Sequence, residues 1–392
     1  MPVDQPASTA PLRRTRTKPF AALAAMLLAM TGGMTGCESA PKVEPSTPEA
    51  RAATVPVHTE EYAKLGYRID WRGFPTVFPG ETVRFFNVSG DVVMVQDTAG
   101  VLSIIEDRNG ERRWSDQPAH RLTKFTGNIR DNNRIICSSE SEAYFFDIET
   151  GNLVDKQRLE KVVNTRPVKV GDVLVYGCSD GQVLGHLTLN GFRQWGSTLD
   201  GVVEADPVRF GDSEIVGLVS SRGEVLIVNA TTGFSQGRGR IFAGPGSSLG
   251  RSDTTLFVAS LDHSLYAINR DDGSQLWRYR TEEPLRSAPV FHDGVVYCDL
   301  GTPGMTAFSS SSGDVLWQTK DVHGTLIAVR KGRLIFWNPS TATATTVDPA
   351  RGSVIDTVKL DRVVFLRSQP FVDGNLYGAS ANGVVFKLVP RN

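Results

Sequence analysis

A unit of about 40 residues recurs from residue 61 onward, and this repeat constrains the fold more than any other feature. In its clearest copy, three short runs of β-branched and aromatic residues begin at Thr255, Ser264 and Gln275. Asp, Asn and Gly residues separate the runs, which predicts strand, turn, strand, turn, strand. A Pro-Val pair often precedes the unit and indicates the beginning of a fourth strand. Since helix-period segments are absent outside the N-terminus, we expect an all-β fold.

A tryptophan or an equivalent residue marks the last strand of each unit. The marked positions follow one another at intervals of 39–43 residues. They are Trp71, Trp114, Asp155, Trp195, Gly237, Trp277, Trp317 and Asp356. A four-stranded unit with a period near 40 is typical of a β-propeller blade.

A glycine stands four residues before each marked position except the first. These glycines are Gly110, Gly151, Gly191, Gly233, Gly273, Gly313 and Gly352. Glycine permits the tight turn that joins the two outer strands of a blade. We therefore interpret the tryptophans and these glycines as residues of the structural repeat.

The two ends of the repeat region complement each other. Residues 369–388 supply inner strands but no final tryptophan strand, whereas the run from Tyr67 to Trp71 resembles an outer strand without a blade. Pairing the two completes a blade and removes two exposed sheet edges. The sequence therefore predicts eight blades, with the ring closed by the N-terminal strand. A count of seven stays open if the unit near 201–244 or 325–363 is not a true blade.

The N-terminus has the features of an export signal. A basic stretch at residues 13–18 precedes an apolar run from Phe20 to Met30, which is too short to span a bilayer but suits a signal peptide. Gly33-Met-Thr-Gly-Cys37 then resembles the bacterial lipobox, which implies cleavage before Cys37 and lipidation of its thiol. The alternative is an ordinary secretory signal in which Cys37 is incidental.

These features predict three regions. Residues 1–36 are a lipoprotein signal peptide, residues 37–60 are a lipidated cysteine with a Pro-rich, flexible tether, and residues 61–392 are the propeller. The residue after Cys37 is Glu38, not the Asp that retains lipoproteins in the inner membrane, which favours the outer membrane.

The charge of the mature region argues against nucleic-acid binding. Without the first 36 residues the chain carries 38 basic and 42 acidic side chains, a formal net charge of −4. Proteins that bind nucleic acid use a broad basic face. We therefore expect no nucleic-acid partner.

The runs from Tyr266 to Trp277 and from Thr306 to Trp317 resemble the PQQ-type propeller repeat, A-x-D-x-x-T-G-x-x-x-W. The resemblance implies that each tryptophan packs against the neighbouring blade. A lipobox followed by such a propeller is similar to the BamB family of outer-membrane β-barrel assembly lipoproteins. That resemblance implies a non-enzymatic scaffold on the periplasmic face of the outer membrane, with the barrel-assembly machinery as its protein partner.

Two other classes of function stay open, a quinoprotein-like enzyme or redox sensor and a propeller that binds a ligand or glycan of the cell envelope. Quinoprotein dehydrogenases of this type carry adjacent cysteines, whereas Cys137, Cys178 and Cys298 lie in different units. These three also lack the spacing of a metal site. We expect no catalytic, cofactor-binding or metal-binding residues, and no cofactor.

Trp337 is the one tryptophan that lies off the register. With Asn338 it falls at the end of a second strand, beside loops on a face that propellers commonly use for ligands. Because aromatic residues dominate interface hot spots, Trp337 and Asn338 are candidate partner-binding residues. The alternative is a hydrophobic plug that packs within a degenerate blade.

Overall fold

The computed structural model describes residues 47–391 of the protein. Within this range, 32 strands form eight four-stranded antiparallel sheets. Each sheet is one blade, and in blades 1–7 the strands lie in chain order.

The strands of the first four blades follow directly along the chain. Blade 1 is β2 (Val83–Ser89), β3 (Val92–Asp97), β4 (Leu102–Glu106) and β5 (Arg112–Asp116). Blade 2 is β6 (Phe125–Asp131), β7 (Arg134–Ser139), β8 (Glu142–Asp147) and β9 (Leu153–Arg158). Blade 3 is β10 (Val168–Val170), β11 (Val173–Gly177), β12 (Gln182–Leu187) and β13 (Arg193–Thr198). Blade 4 is β14 (Val208–Arg209), β15 (Ile215–Val219), β16 (Glu224–Asn229) and β17 (Ser235–Arg240).

The last four blades include the one that joins the two ends of the chain. Blade 5 is β18 (Gly250–Arg251), β19 (Thr255–Ser260), β20 (Ser264–Asn269) and β21 (Gln275–Arg280). Blade 6 is β22 (Val290–His292), β23 (Val295–Asp299), β24 (Met305–Ser309) and β25 (Val315–Thr319). Blade 7 is β26 (Thr325–Arg330), β27 (Arg333–Asn338), β28 (Thr343–Val347) and β29 (Val354–Lys359). Blade 8 is β30 (Val363–Gln369), β31 (Asn375–Ser380), β32 (Val385–Pro390) and β1 (Tyr67–Gly73).

The prediction of an eight-bladed, all-β propeller is confirmed. The two units that left a count of seven open are both four-stranded blades, blades 4 and 7. First strands of neighbouring blades contact each other, as β2 does β6 and β26 does β30, so the first strands line the central axis. The fourth strand of each blade is the outer edge of its sheet.

The core lies between the blades. Eight buried apolar clusters occur in the described residues, and each draws its members from two adjacent blades, with Tyr62 and Leu65 of the segment before β1 added to the cluster between blades 7 and 8. In β3, for example, Val92 and Met94 pack with blade 2, whereas Val93 and Val95 pack with blade 8. This arrangement follows from the alternation of side chains along a strand, which places successive residues on opposite faces.

β1 closes the ring as the sequence predicted. It pairs antiparallel with β32, with Tyr67 opposite Pro390 and Trp71 opposite Lys387. Asp107 of blade 1 also contacts blade 8. Its carboxylate lies 2.8 Å from Lys387 Nζ and accepts a hydrogen bond from the Tyr377 hydroxyl at 2.6 Å. The closure therefore combines a strand ladder, which has one register shift between Ile69 and Trp71, with a polar contact to the next blade.

The segment before β1 differs from the flexible tether that we predicted through residue 60. It forms two short helices, α1 (Pro48–Thr54) and α2 (Thr59–Lys64). Arg51 of α1 donates to Pro75 O at 2.9 Å, and Tyr62 of α2 is buried in the core. These helices are too short to show an apolar period, and packing on the propeller holds them. Residues 1–46, including the predicted signal peptide and Cys37, lie outside the described residues. In the described range, no helix has the length and apolar character needed to cross a membrane.

Candidate partner-binding site

The repeat tryptophans join each blade to the next through one recurring hydrogen bond. In each case the indole Nε1–H donates to a backbone carbonyl three residues before the turn glycine of the following blade. The pairs are Trp71 with Asp107 O at 2.7 Å, Trp114 with Ile148 O at 2.8 Å, Trp195 with Ala230 O at 2.6 Å, Trp277 with Ser310 O at 2.8 Å, and Trp317 with Pro349 O at 2.8 Å. We call these five contacts, with their glycines, the Trp–Gly seams.

The turn glycines share one left-handed backbone conformation. Their φ angles are +76° at Gly110, +72° at Gly151, +75° at Gly191, +75° at Gly233, +75° at Gly273, +76° at Gly313 and +70° at Gly352. In the Trp–Gly seams the indole also lies against the glycine, and a Cβ at Gly233 would stand 2.5 Å from Trp195 Cγ. Glycine is thus required there for two reasons: the left-handed φ angle disfavours other residues, and a Cβ would overlap the indole ring.

Gly233→Ala is expected to destabilise the protein more than Gly332→Ala. Both glycines have a left-handed φ, +75° and +72°, but a Cβ at Gly332 meets nothing within 4 Å. Each substitution therefore carries the same backbone strain of about 1–2 kcal/mol. Only the first also displaces an indole, which adds about 1–3 kcal/mol of overpacking. Urea unfolding of the two variants measures the difference, and equal losses would contradict a steric role for the seam.

Three blade boundaries have no tryptophan, and two of them are closed or filled in other ways. At the boundary of blades 4 and 5, a Cβ at Gly237 would overlap the backbone of Asp272, so the blades approach too closely for a side chain. At the boundary of blades 7 and 8, helix α2 contacts β29 and supplies the buried Tyr62. No turn joins β32 to β1, and the helix takes the place of the usual seam.

The boundary of blades 2 and 3 is different, because a small polar network replaces the indole. Asp155 stands at the marked position, and Gln157 Nε2 donates to Thr188 O at 2.7 Å, the carbonyl that corresponds to the indole acceptors. His186 Nε2 lies 2.8 Å from Gln157 Oε1. Beside this network the structure has an open groove of about 780 Å³, formed by residues 155–160 and 189–193, which we call the blade 2–3 groove.

The stability of the protein is expected to depend on pH through His186 of this network. Burial lowers the pKa of His186 from 6.5 to about 4. Between these values the unfolded chain binds a proton that the native protein does not, so the free energy of unfolding falls as pH falls from about 6.5 to about 4. The loss is on the order of 3 kcal/mol. Urea unfolding at several pH values across this range measures it.

His186→Gln is the matched variant, since an amide keeps a hydrogen-bonding group near Gln157 but does not titrate. The variant is expected to show a shallower fall in stability than the wild-type protein. All other titrating groups are common to the two proteins, so the difference in slope isolates His186. Parallel curves for the two proteins would contradict the assignment.

The structure places the two candidate partner-binding residues in different environments. Trp337 is only 4% exposed and packs in the cluster between blades 7 and 8, with Tyr62 and Leu366. Its position corresponds to the packing alternative, because a buried indole presents no surface to a partner. Asn338 is partly exposed, and its Oδ1 accepts from Ser340 N at 3.0 Å.

Asn338 borders a polar cavity of about 610 Å³ on the face that carries the loops between blades. The cavity is lined by residues 247–248, 286–288, 299, 323–325 and 338–340. Asp299 organises it, since its carboxylate accepts from Gly324 N at 2.8 Å and lies 3.2 Å from His323 Nδ1. The exposed Arg286 lies on the same lining. This face therefore offers hydrogen-bonding groups from blades 5, 6 and 7, but no large apolar anchor.

Charged side chains also meet around the central axis. Arg166, before the first strand of blade 3, lies 3.4 Å from Asp206 of blade 4 and donates to Asn87 of blade 1 at 3.2 Å. Contacts between blades that are not neighbours require residues at the centre of the ring. Burial raises the pKa of Asp206, and burial together with the nearby Arg166 lowers the pKa of Arg367 on β30. The axis is thus polar, with two guanidinium groups around one carboxylate.

The remaining chemical candidates occupy structural positions. Cys137, Cys178 and Cys298 are buried free thiols, and burial raises the pKa of Cys137 to about 12, which disfavours the reactive thiolate. Residues 246–250 have the Gly-x-Ser-x-Gly pattern of serine hydrolases, but they lead into the short strand β18 and not into the helix that a hydrolase elbow requires. In residues 47–391, no group of three or more His, Cys, Asp or Glu side chains is placed to hold a metal ion.

The fold, the repeat register and the Trp–Gly seams together define the chain as an eight-bladed propeller of the PQQ type. The family model described as outer membrane protein assembly factor BamB matches residues 89–247 and 221–390. The chain belongs to this family.

Two solved structures illustrate the similarity in fold. The crystal structure of BamB from Moraxella catarrhalis superposes with a TM-score of 0.64 at 16% identity, covering 78% of this chain and 93% of that one. The computationally designed Ika8 protein superposes with a TM-score of 0.67 at 15% identity, covering 82% of this chain and 99% of that one. No curated protein shows significant sequence similarity to the chain.

Proposed function

We propose that this protein is a non-enzymatic scaffold of the bacterial cell envelope that binds protein partners and takes part in the assembly of outer-membrane β-barrel proteins. The observation that carries the proposal is the family match, which extends over most of the propeller. The described residues support a binding role, because polar loops and exposed apolar side chains provide contact surface. The cysteines, by contrast, are buried, and burial raises the pKa of a thiol and disfavours the reactive thiolate.

Affinity purification tests the proposed partner. We expect C-terminally tagged full-length protein, recovered from gently solubilised envelopes, to bring down a barrel-assembly protein in stoichiometric amount by mass spectrometry. Clean protein without that partner would overturn the proposed role while leaving the fold unchanged.

We further propose that the chain is lipidated on Cys37 and held at the periplasmic face of the outer membrane. Metabolic labelling with an alkyne fatty acid is expected to mark the protein, and Cys37→Ala is expected to abolish the label and release the protein from membranes. Ser39→Ala is the matched control, because it changes the same segment but keeps the cysteine. Equal labelling of both variants would contradict lipidation at Cys37.

The two other classes of function have less support from the molecule. Loss of glycan binding in Trp337→Ala would not support a glycan-binding role, because Trp337 is buried and the substitution also affects stability. A quinoprotein-like role would gain support from an absorbing cofactor, bound stoichiometrically in the purified protein. Neither alternative has an observation in the described residues that favours it over the scaffold.

A further inference from the structure

The blade 2–3 groove is the place where the propeller departs from its own pattern and leaves space. At five other boundaries an indole from the preceding blade fills the corresponding volume against the turn of the next blade. Here Asp155 stands where the other blades have an indole, and the smaller Gln157 side chain lies against the turn, with its Cγ 3.4 Å from where a Cβ of Gly191 would stand. A groove of about 780 Å³ remains open to solvent.

The side of the groove formed by blade 3 is unusually apolar. Leu189 and Phe192, on the turn between β12 and β13, are 74% and 70% exposed. The corresponding positions of other turns are mostly polar, namely Glu149 and Asn152, Asp271 and Ser274, and Ser311 and Asp314. An exposed apolar pair beside an open groove is typical of a protein-binding surface.

The side formed by blade 2 is a strand edge. β9 pairs with β8 on one side only, so along its outer side its backbone groups are free to pair with another strand. Near the end of the strand, Glu160 lies 2.9 Å from Arg193 of blade 3, and this ion pair bounds the groove. An extended chain that pairs with β9 would carry alternate side chains toward the groove.

We propose that the blade 2–3 groove binds an extended segment of a partner protein, and that an aromatic side chain of that segment packs in the open part of the groove, beside the Gln157 side chain that takes the place of the indole of the Trp–Gly seams. The ring would pack over Gln157, near the turn at Gly191, and contact Leu189 and Phe192. This inference rests on the proposed function as a protein-binding scaffold and names the surface that the partner uses. The internal repeat supplies the template, because the same turn geometry accommodates an indole elsewhere in this chain.

Photo-crosslinking in the full-length protein within its own envelope tests the proposal. Benzoylphenylalanine at position 192 is expected to give one discrete adduct, and mass spectrometry should locate the crosslink within a few residues of a Trp, Tyr or Phe in the partner. The same probe at position 234 is the matched control, since Phe234 is also 70% exposed on the corresponding turn of blade 4, where Trp195 fills the seam. We expect at least about a tenfold weaker adduct there.

Two variants, each made with the probe at position 192, decide whether the groove itself is used. Asp155→Trp supplies the missing indole from within the chain and is expected to abolish the adduct. Leu189→Ser changes only an exposed side chain, so it keeps the test valid if the larger substitution disturbs folding, and it is expected to weaken the adduct several-fold. Failure to form an adduct at position 192, an adduct equal to that at position 234, or one that both variants leave unchanged would overturn the proposal.

The outcomes separate this proposal from the proposed function. Recovery of a barrel-assembly protein by affinity purification, without an adduct at position 192, would support the scaffold role and overturn the groove. An adduct with the expected pattern, formed with a protein outside the barrel-assembly machinery, would support the groove and overturn the proposed role.

Discussion

Deletion of residues 61–72 is expected to unfold the whole propeller and not blade 8 alone. The deletion removes most of β1 and of α2, with the buried Tyr62, Tyr67 and Trp71, and exposes the edge of β32 and the turn of blade 1 that Trp71 covers at Gly110. Losing each large buried aromatic side chain costs about 3–5 kcal/mol, and the three together are comparable to the 5–15 kcal/mol that stabilise a typical domain. Circular dichroism and thermal melting measure the loss of the cooperative transition.

The matched control for the deletion keeps β1 but changes its exposed side chains. Arg68 and Asp70 face solvent in the same strand, so the double variant R68A/D70A leaves the ladder with β32 and the buried contacts intact. It is expected to melt within a few degrees of the wild-type protein. A deletion variant that melts as the wild type does would show that the ring does not depend on this closure.

The fold was predictable because most blades need the same residue types at the same positions. The outer strand needs a large residue that reaches the next blade, and the turn before it needs glycine, so Trp and Gly recur with a period near 40. Where Trp is missing, Gly233 and Gly352 still mark the turns of blades 4 and 7, and both blades form. The complementary ends of the repeat region likewise predicted the closure of blade 8.

Features that depend on contacts between distant parts of the chain were not predictable. The sequence position of Trp337 does not show whether its side chain is exposed. It is buried because Tyr62 and Leu366, which belong to other elements of the chain, lie in the same apolar cluster. Helices α1 and α2 have only 7 and 6 residues and show no apolar period, so only their packing reveals them. The missing indole at Asp155 is visible in the sequence, but its replacement by Gln157 and His186 is not.

The Trp–Gly seams explain why the ring tolerates such varied blades. Each seam is local to one boundary, so a boundary can lose its tryptophan without disturbing the others if the space is filled or closed. Gly237 closes one boundary and Tyr62 fills another. The boundary of blades 2 and 3 is only partly filled by Gln157, and the groove beside it stays open to solvent.

Trp195→Ala is expected to lower the free energy of unfolding by about 3–5 kcal/mol, a large part of the stability of a typical domain. Trp195 lies opposite Gly185 in the blade 3 ladder, packs against Gly233 of blade 4, and donates to Ala230 O at 2.6 Å. Removing the ring leaves a cavity between two glycines, neither of which has a side chain that can move to fill it. Urea unfolding measures the loss.

Two further variants separate the parts of this contact. Trp195→Phe keeps most of the apolar ring but leaves Ala230 O without its donor, so we expect a smaller loss of about 1–3 kcal/mol. Phe234→Ala is the matched control, because it removes an exposed ring from the neighbouring turn, and its effect is expected to stay within about 0.5 kcal/mol. A Trp195→Ala protein as stable as the Phe234→Ala protein would show that the seams do not hold the blades together.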